Sequence, residues 1–169
     1  MKKNLVLTGM MGVGKSTIGE DLSNKLDVQF KDIDKIIEKK LSLSIADIFE
    51  KKGEEFFRNI EEKETLNYLK EKNVVIALGG GAFMNQKIRE ATKKLSISFW
   101  LDLNSKNIFE RIKMNKRRPL LNSKSSEEDV KKLYEKRKEN YSLANHKIDC
   151  DFKTKDEIVK NILKIYENI

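Results

Sequence analysis

Residues 5–17, with the sequence LVLTGMMGVGKST, decide the fold of this chain. The first three are apolar and predict a buried strand, and a helix is predicted from about Lys15, with one apolar face made of Ile18, Leu22 and Leu26. The segment from Gly9 to Ser16 fits the pattern G-x-x-x-x-G-K-[ST]. Its glycines let the backbone turn tightly, so that successive N–H groups point into one concavity suited to phosphate oxygens. The stretch therefore predicts a phosphate-binding loop at a strand–helix junction.

The side chains of this loop indicate the kind of phosphate compound that it binds. Lys15 can reach the outer phosphates of a nucleotide, and the hydroxyl of Ser16 can hold Mg²⁺. The N-terminus of the following helix adds the positive end of its dipole. We therefore expect a nucleoside triphosphate to bind here.

Strands and helices alternate along the rest of the chain. Further strands are predicted at residues 28–33, 74–78, 95–101 and 147–152. Helical stretches are predicted up to about residue 72 with a break near Gly53, at about 105–113, up to about 145, and in a closing helix that carries Ile158, Ile162 and Ile165. This order predicts an α/β fold, in which helices cover both faces of a parallel sheet. A length of 169 residues is typical of a single domain.

Composition narrows the class of protein. The net charge of +8, from 35 Lys+Arg against 27 Asp+Glu, favours anionic partners. The basic residues mostly stand beside acidic ones, as in residues 131–139, and the chain has only 1 Trp and 4 Tyr, so we expect no nucleic-acid partner. No apolar run approaches the roughly 20 residues that span a bilayer, so we expect no membrane partner. The single cysteine, Cys150, excludes an internal disulfide and favours the cytoplasm.

Two aspartates are predicted to end the second strand. Alternate residues of a strand point to the same side, so Asp32 and Asp34 should face one ligand at the carboxyl edge of the sheet. One carboxylate could orient Mg²⁺ through water while the other meets a substrate hydroxyl. The alternative is that Asp34 only caps the next helix.

Two arginines are candidate ligands for a carboxylate. Arg58 precedes Glu61 and Glu62 by three and four residues, which also fits a surface salt bridge. Arg137 belongs to an inward-facing helical stripe that includes Val130, Leu133, Tyr134 and Tyr141. A buried arginine needs a partner, and a ligand carboxylate bound through both guanidinium nitrogens would supply one. The alternative for Arg137 is that its side chain reaches out to the surface.

Glycines and a basic segment complete the set of candidate residues. Gly79, Gly80 and Gly81 follow the third strand and leave the backbone open to close approach by a ligand. The segment from about 115 to 126 is basic and then rich in serine and asparagine, and Arg111, Arg117 and Arg118 lie around its start. We expect this segment to close over the nucleotide and exclude water.

Taken together, these motifs resemble those of shikimate kinases over essentially the whole chain. They are GMMGVGKST at residues 9–17, the D-x-D of Asp32 and Asp34, G-x-x-x-F-R at 53–58, LGGGA at 78–82, R-P-L-L at 118–121 and R-x-x-x-Y at 137–141. The resemblance implies five parallel strands in the order 2-3-1-4-5, as in nucleoside monophosphate kinases. It also implies transfer of the γ-phosphate of ATP to the 3-hydroxyl of shikimate, on the way to chorismate and the aromatic amino acids.

The resemblance further implies a role for each candidate residue. Shikimate would contact Asp34, Arg58, Gly79, Gly80, Gly81 and Arg137, with both arginines on its carboxylate. ATP would contact Gly12, Val13, Gly14, Lys15, Ser16, Thr17, Arg111 and Arg118, with Arg111 against the adenine. Ser16 and Asp32 would hold Mg²⁺, and Asp34, Lys15 and Arg118 would be catalytic, Asp34 either by removing the hydroxyl proton or by orienting the hydroxyl.

The same resemblance predicts how the chain is organised. We expect one kinase domain over residues 1–169, a substrate-binding helical segment at about 33–61, a mobile lid at about 113–127, and a monomer. Two other functions stay open from the sequence. The first is a kinase of another small hydroxy acid, such as gluconate, on the same fold. The second, more remote, is a nucleic-acid-binding NTPase.

Overall fold

A parallel sheet of five strands forms the centre of the computed structural model, which describes residues 3–113 and 125–169. Its strands are β1 (Asn4–Thr8), β2 (Gln29–Asp32), β3 (Val74–Ala77), β4 (Ser96–Asp102) and β5 (His146–Asp149). Their order in the sheet is β2-β3-β1-β4-β5, and every neighbouring pair is parallel. The predicted fold class and strand order are confirmed.

The apolar sequence of the central strands explains their position. Every residue of β1 and β3 is buried, as is almost all of β4, because helices cover a central parallel strand on both faces. The edge strands β2 and β5 are partly exposed. The hydrophobic core therefore centres on β1, β3 and β4.

Helices flank the sheet throughout the described part of the chain. They are α1 (Lys15–Leu26), α2 (Ile33–Leu41), α3 (Ile45–Lys52), α4 (Glu54–Leu69), α5 (Gln86–Leu95), α6 (Ser105–Lys113), α7 (Glu127–Tyr141) and α8 (Lys155–Glu167). A short 3₁₀ turn, Ala82–Met84, precedes α5. Helix α1 packs on β2 and β3 and against α8, whereas α5 packs on β4 and against α4. In the described residues no helix is both long enough and apolar enough to cross a membrane.

The predicted break near Gly53 is confirmed, and a second break lies at residues 42–44. Gly53 has a φ of 85° and separates α3 from α4. Ser44 caps α3 through a hydrogen bond that its hydroxyl accepts from the N–H of Asp47. The predicted helical segment of about 33–61 therefore contains α2, α3 and the first half of α4.

The predicted elements need two corrections, the end of the last strand and a helix that was not predicted. The last strand, predicted at 147–152, ends at Asp149, because the chain turns where the Asp149 carboxylate accepts a hydrogen bond from the N–H of Asp151. Phe152 beyond it has a φ of 56° and is 98% exposed. Helix α5 was not predicted at all, although the Asn85 side chain caps it and Ile88 and Thr92 are buried on its inner face. Most of the predicted lid, residues 114–124, lies outside the described residues.

Candidate active site

The loop between β1 and α1 has the backbone geometry that its glycines predict. The φ angles of Gly9, Gly12 and Gly14 are 134°, 81° and 102°, in the left-handed region that favours glycine. Gly14 is the residue before α1, and the first turn of this helix carries Lys15 and two hydroxyl groups rather than carboxylates. The positive end of α1 therefore faces a loop suited to an anion.

Lys15 lies across this loop with only 8% of its surface exposed. Its ammonium group donates hydrogen bonds to the carbonyl oxygens of Gly9, at 2.8 Å, and Met10, at 2.9 Å. The fold therefore holds a positive charge at the point where the outer phosphates of a nucleotide would enter.

Ser16 and Asp32 form the second polar contact of the loop. The Ser16 hydroxyl donates to Oδ2 of Asp32 at 2.5 Å, while Oδ1 of Asp32 accepts from the N–H of Lys35 at 3.2 Å. Asp32 thus ends β2 and caps α2 at the same time. The expectation that Asp34 also ends the strand is wrong, because this cap starts α2 at Ile33 and places Asp34 in its first turn. The helix-capping role considered for Asp34 belongs to Asp32.

These groups line one cavity of about 310 Å³. Residues of the loop segment 12–17 form one wall, and Asp32 and Asp34 form another together with Ala77 and Leu78 at the end of β3. Arg111 also lines it, and its guanidinium group donates to the carbonyl oxygen of Val13 at 3.2 Å. The cavity unites most of the candidate residues that we predicted for the nucleotide, the metal and the reacting hydroxyl.

Gly79, Gly80 and Gly81 follow β3, and three sets of charged side chains approach their backbone. A Cβ on Gly79 would clash with carboxylate oxygens of Asp34, at 2.6 Å, and of Glu61. On Gly81 it would stand 2.5 Å from the guanidinium group of Arg58. On Gly80 it would stand 3.1 Å from the backbone nitrogen of Met11 in the loop and 3.6 Å from Arg137. The three glycines therefore allow two carboxylates and two guanidinium groups to converge beside the loop.

Arg58 is anchored by acidic and aromatic side chains. Its guanidinium group forms ion pairs with Glu61 at 2.7 Å and with Glu54 at 3.0 Å. The rings of Phe57 and Phe49 lie 5.2 Å and 5.8 Å from its central carbon. The salt bridge that its spacing predicted is present. However, Glu61 is only 2% exposed, so this contact belongs to the site and not to the open surface.

Arg137 lies inside the protein, as its helical stripe predicted. It is 5% exposed, and its guanidinium group donates to the carbonyl oxygen of Gly80 at 3.1 Å. The alternative that this side chain reaches out to the surface is therefore wrong. Arg118, the one arginine predicted to be catalytic, lies outside the described residues.

Glu61 is a site residue that the sequence reasoning missed. Burial raises the pKa of its carboxyl to about 7, and although Arg58 opposes this rise, the charge of Asp34 adds to it. Among the described residues, no group forms a hydrogen bond with its Oε1 atom. Phe57, Glu61 and Thr65 share one helical face and are all buried, but only one of the three is apolar, so the sequence does not show this burial.

The fold and this cavity define a class of enzyme, the P-loop kinases of small molecules. The phosphate-binding loop lies beside an aspartate and two arginines, which suit an acidic, hydroxylated acceptor. The chain belongs to the shikimate kinase family, since the model of that family, described as "Shikimate kinase", matches residues 11–167.

Individual relatives agree with this assignment. A shikimate kinase from Sulfurihydrogenibium sp. is 43% identical over 95% of this chain and 96% of its own length. A shikimate kinase from Thermodesulfovibrio yellowstonii is 39% identical over 99% of this chain and 96% of its own. The structure of the Acinetobacter baumannii shikimate kinase in complex with shikimate superposes with a TM-score of 0.94 at 31% identity, covering 99% of this chain and 94% of that one.

A gluconokinase shares the fold of this chain but little of its sequence. The enzyme from Sinorhizobium meliloti has a TM-score of 0.57 and 14% identity to this chain, with 99% of this chain and 93% of that one covered. The gluconate alternative is therefore the weaker of the two.

Proposed function

We propose that this protein transfers the γ-phosphate of ATP to the 3-hydroxyl of shikimate, giving shikimate 3-phosphate and ADP in the synthesis of chorismate and the aromatic amino acids. The observation that carries the proposal is the convergence of Asp34, Arg58 and Arg137 on residues 79–81, directly beside the phosphate-binding loop. Membership of the shikimate kinase family supports the same acceptor.

The two arginines provide the site for the acceptor's carboxylate. Arg58 stands over Gly81 and Arg137 donates to Gly80, so both guanidinium groups lie along one short stretch of backbone. Charge-assisted hydrogen bonds from planar guanidinium groups are about twice as strong as neutral ones and fix the orientation of a carboxylate. A carboxylate bound between them holds the acceptor ring beside residues 79–81.

Asp34 then faces the reacting hydroxyl. It lines the nucleotide cavity and also approaches Gly79, so it stands between the loop and the proposed carboxylate site. A carboxylate in this place accepts the hydrogen bond of the 3-hydroxyl and aims its oxygen at the γ-phosphate. Positioning and charge stabilisation of this kind account for most of the catalysis in phosphoryl transfer.

Residues 12–17 bind the phosphates of ATP through backbone N–H groups, and Lys15 stabilises the charge that develops on the transferred group. We assign Arg111 to the nucleotide because it lines the cavity and is held against the loop by Val13. Arg118 keeps its proposed role at the ATP phosphates, on the strength of the family resemblance.

The oxygen atoms of Ser16 and Asp32 fit Mg²⁺. They are hard donors, a hydrogen bond joins them, and both residues line the cavity. Mg²⁺ in phosphoryl-transfer sites is usually held by one or two protein oxygens, with the phosphates and water as its other ligands. When bound, it would neutralise charge on the ATP phosphates. Within the described residues no group of three or more His, Cys, Asp and Glu is arranged to hold a metal.

The decisive experiment is ADP release by the purified protein with ATP and Mg²⁺, first without an acceptor and then with shikimate, gluconate or other hydroxy acids. We expect fast release with shikimate only. Lys15→Ala, assayed in parallel, controls for a contaminating kinase. Equal or faster turnover of gluconate would overturn the proposal.

We also propose that the protein is a cytoplasmic monomer. The single cysteine, Cys150, is buried and unpaired, as suits a reducing compartment. Among the described residues the exposed large apolar side chains are few and belong to different parts of the fold, namely Phe56, Leu143, Phe152 and Ile169.

A further inference from the structure

Tyr141 closes the R-x-x-x-Y motif and has no role in the mechanism derived so far. Its side chain is completely buried, and its hydroxyl donates a hydrogen bond of 2.5 Å to the carbonyl oxygen of Gly80. Arg137, one helical turn earlier on α7, donates to the same oxygen at 3.1 Å. A carbonyl oxygen has two lone pairs, so Gly80 accepts both bonds at once.

Gly80 lies between the phosphate-binding loop and the side chains that α7 contributes to the site. On one side are the two donors from α7, and on the other is the loop, whose Met11 nitrogen would stand 3.1 Å from a Cβ on Gly80. The ring of Tyr141 is fixed in turn by Trp100 of β4, with a centroid distance of 6.0 Å and 29° between the ring planes. The hydroxyl therefore reaches Gly80 from a fully buried ring that stacks on Trp100.

We propose that Tyr141 is a positioning residue for the acceptor, since it keeps the Gly80 carbonyl bonded while Arg137 turns to the acceptor's carboxylate. The proposal rests on the proposed function, in which Arg137 binds that carboxylate. To bind it, Arg137 gives up or shares its bond to Gly80. Because the Tyr141 hydroxyl satisfies this oxygen already, the exchange leaves no polar group without a partner.

Removal of the Tyr141 hydroxyl would leave the Gly80 oxygen dependent on Arg137. The Gly80 oxygen would then have Arg137 as its only side-chain donor among the described residues, so the substrate carboxylate would have to compete with a carbonyl for the same guanidinium group. Burial raises the pKa of the Tyr141 hydroxyl to about 12, so the group stays a donor throughout the pH range of an assay.

The test is Tyr141→Phe, which keeps the ring and its stacking on Trp100. We expect the KM for shikimate to rise about five- to tenfold, while kcat and the KM for ATP change less than about twofold. The matched control is Tyr134→Phe on the same helix, whose hydroxyl donates to Asp102 at 2.8 Å and so lies on another contact. This variant should keep the KM for shikimate within about twofold of the wild-type value.

A double-mutant cycle shows whether the effect acts through Arg137. In an Arg137→Ala background the further change Tyr141→Phe should alter the KM for shikimate less than about twofold, because the competing donor is gone. A full effect of Tyr141→Phe in that background would overturn the proposal, as would equal increases in both KM values. If Arg137→Ala alone left the KM for shikimate unchanged, the proposed carboxylate site itself would be wrong, which is a separate outcome.

Thermal unfolding separates positioning from simple stability. Both tyrosine variants lose one hydroxyl bond and keep their rings, so their Tm values should be similar. If Tyr141→Phe alone failed to fold or lost far more stability than Tyr134→Phe, its hydroxyl would serve folding, and the positioning role would be overturned.

Discussion

Lys15 is the residue at which a role in catalysis can be separated most directly from a role in stability. Two of its hydrogen bonds go to carbonyl oxygens of the loop, and its side chain lines the cavity, so its loss should hardly disturb the core. We expect Lys15→Ala to lower kcat by about 10² or more, because charge stabilisation dominates phosphoryl transfer, and to leave Tm almost unchanged. Steady-state ADP release and thermal denaturation measure the two effects. Near-normal turnover would show that the lysine serves another purpose.

Substitutions of Asp34 and Arg137 should change different kinetic constants. Arg137→Lys keeps the charge but loses the planar fork, so the KM for shikimate should rise about tenfold or more. Asp34→Asn should instead lower kcat strongly while shikimate still binds, because this carboxylate acts on the reacting hydroxyl. Initial-rate kinetics with both substrates varied separate KM from kcat. Shikimate methyl ester serves as the control, and its use by the wild type as readily as the acid would exclude the carboxylate site.

Glu61 should make stability depend on pH. Burial raises its folded-state pKa to about 7 from an ordinary value of 4.5, so between these values the folded protein holds a proton that the unfolded chain has released. The resulting stabilisation is present at low pH and is lost as the pH rises towards 7. Relative to Glu61→Gln, the wild type should lose on the order of 1–3 kcal/mol of unfolding free energy between pH 5 and pH 8.

Urea denaturation of both proteins at the two pH values tests this expectation. The difference between wild type and variant removes the contributions of the other titrating groups. Stability curves that stay parallel from pH 5 to pH 8 would mean that Glu61 is ionised throughout.

At the scale of elements, the contact between the loop and β4 depends on one glycine. A Cβ on Gly9 would stand 2.5 Å from the backbone oxygen of Leu101, which cannot move without shifting the strand. Gly53, between α3 and α4, also has a positive φ, but a Cβ there would have nothing within 4 Å. Gly53→Ala therefore measures backbone strain alone, at about 1–2 kcal/mol.

Gly9→Ala adds a steric clash to that strain. We expect it to cost at least about 1–2 kcal/mol more than Gly53→Ala in unfolding free energy, as seen when packed atoms are forced apart. Urea denaturation of the two single variants gives this difference. Equal losses of stability would mean that β4 yields to the extra methyl group.

The sequence predicted those elements whose signals are local. The loop and α1 follow from residues 9–18, and the buried strands follow from continuous apolar runs, because each signal lies within one stretch of chain. Helix α5 is an exception, because Ile88, Ala91 and Leu95 follow helical spacing and pack on the core, yet the helix was not predicted. Asp34 was assigned to a strand because its alternation with Asp32 does not show which aspartate caps the helix.

At the scale of the whole molecule, the proposed monomer can be tested directly. The four exposed large apolar side chains lie at the start of α4, after α7, after β5 and at the C-terminus. Sedimentation equilibrium should give the mass of one chain at every loading concentration. A mass that rises towards two chains would contradict this prediction and would point to an interface at one of these positions.

The assembly of the candidate site could be predicted only in part. The residues that bind phosphate come from one segment, whereas Arg137 meets Gly80 across 57 positions of sequence, and only the packing of α7 beside the end of β3 brings them together. Spacing alone could not show that Glu61 is buried, because an ion pair with Arg58 three residues away fits a surface helix equally well. Such contacts are properties of the whole fold.

Trp100 is an intrinsic fluorescent probe of the candidate site. It is the single tryptophan of the chain, and its indole ring lies between the loop, where a Cβ on Gly9 would stand 3.4 Å away, and the ring of Tyr141. We therefore expect a nucleotide in the loop, and an acid at Arg137 one helical turn from Tyr141, to change the emission of the same fluorophore. The emission of unlabelled wild-type protein can accordingly follow the arrival of each substrate, and the order in which they bind, without a coupled assay.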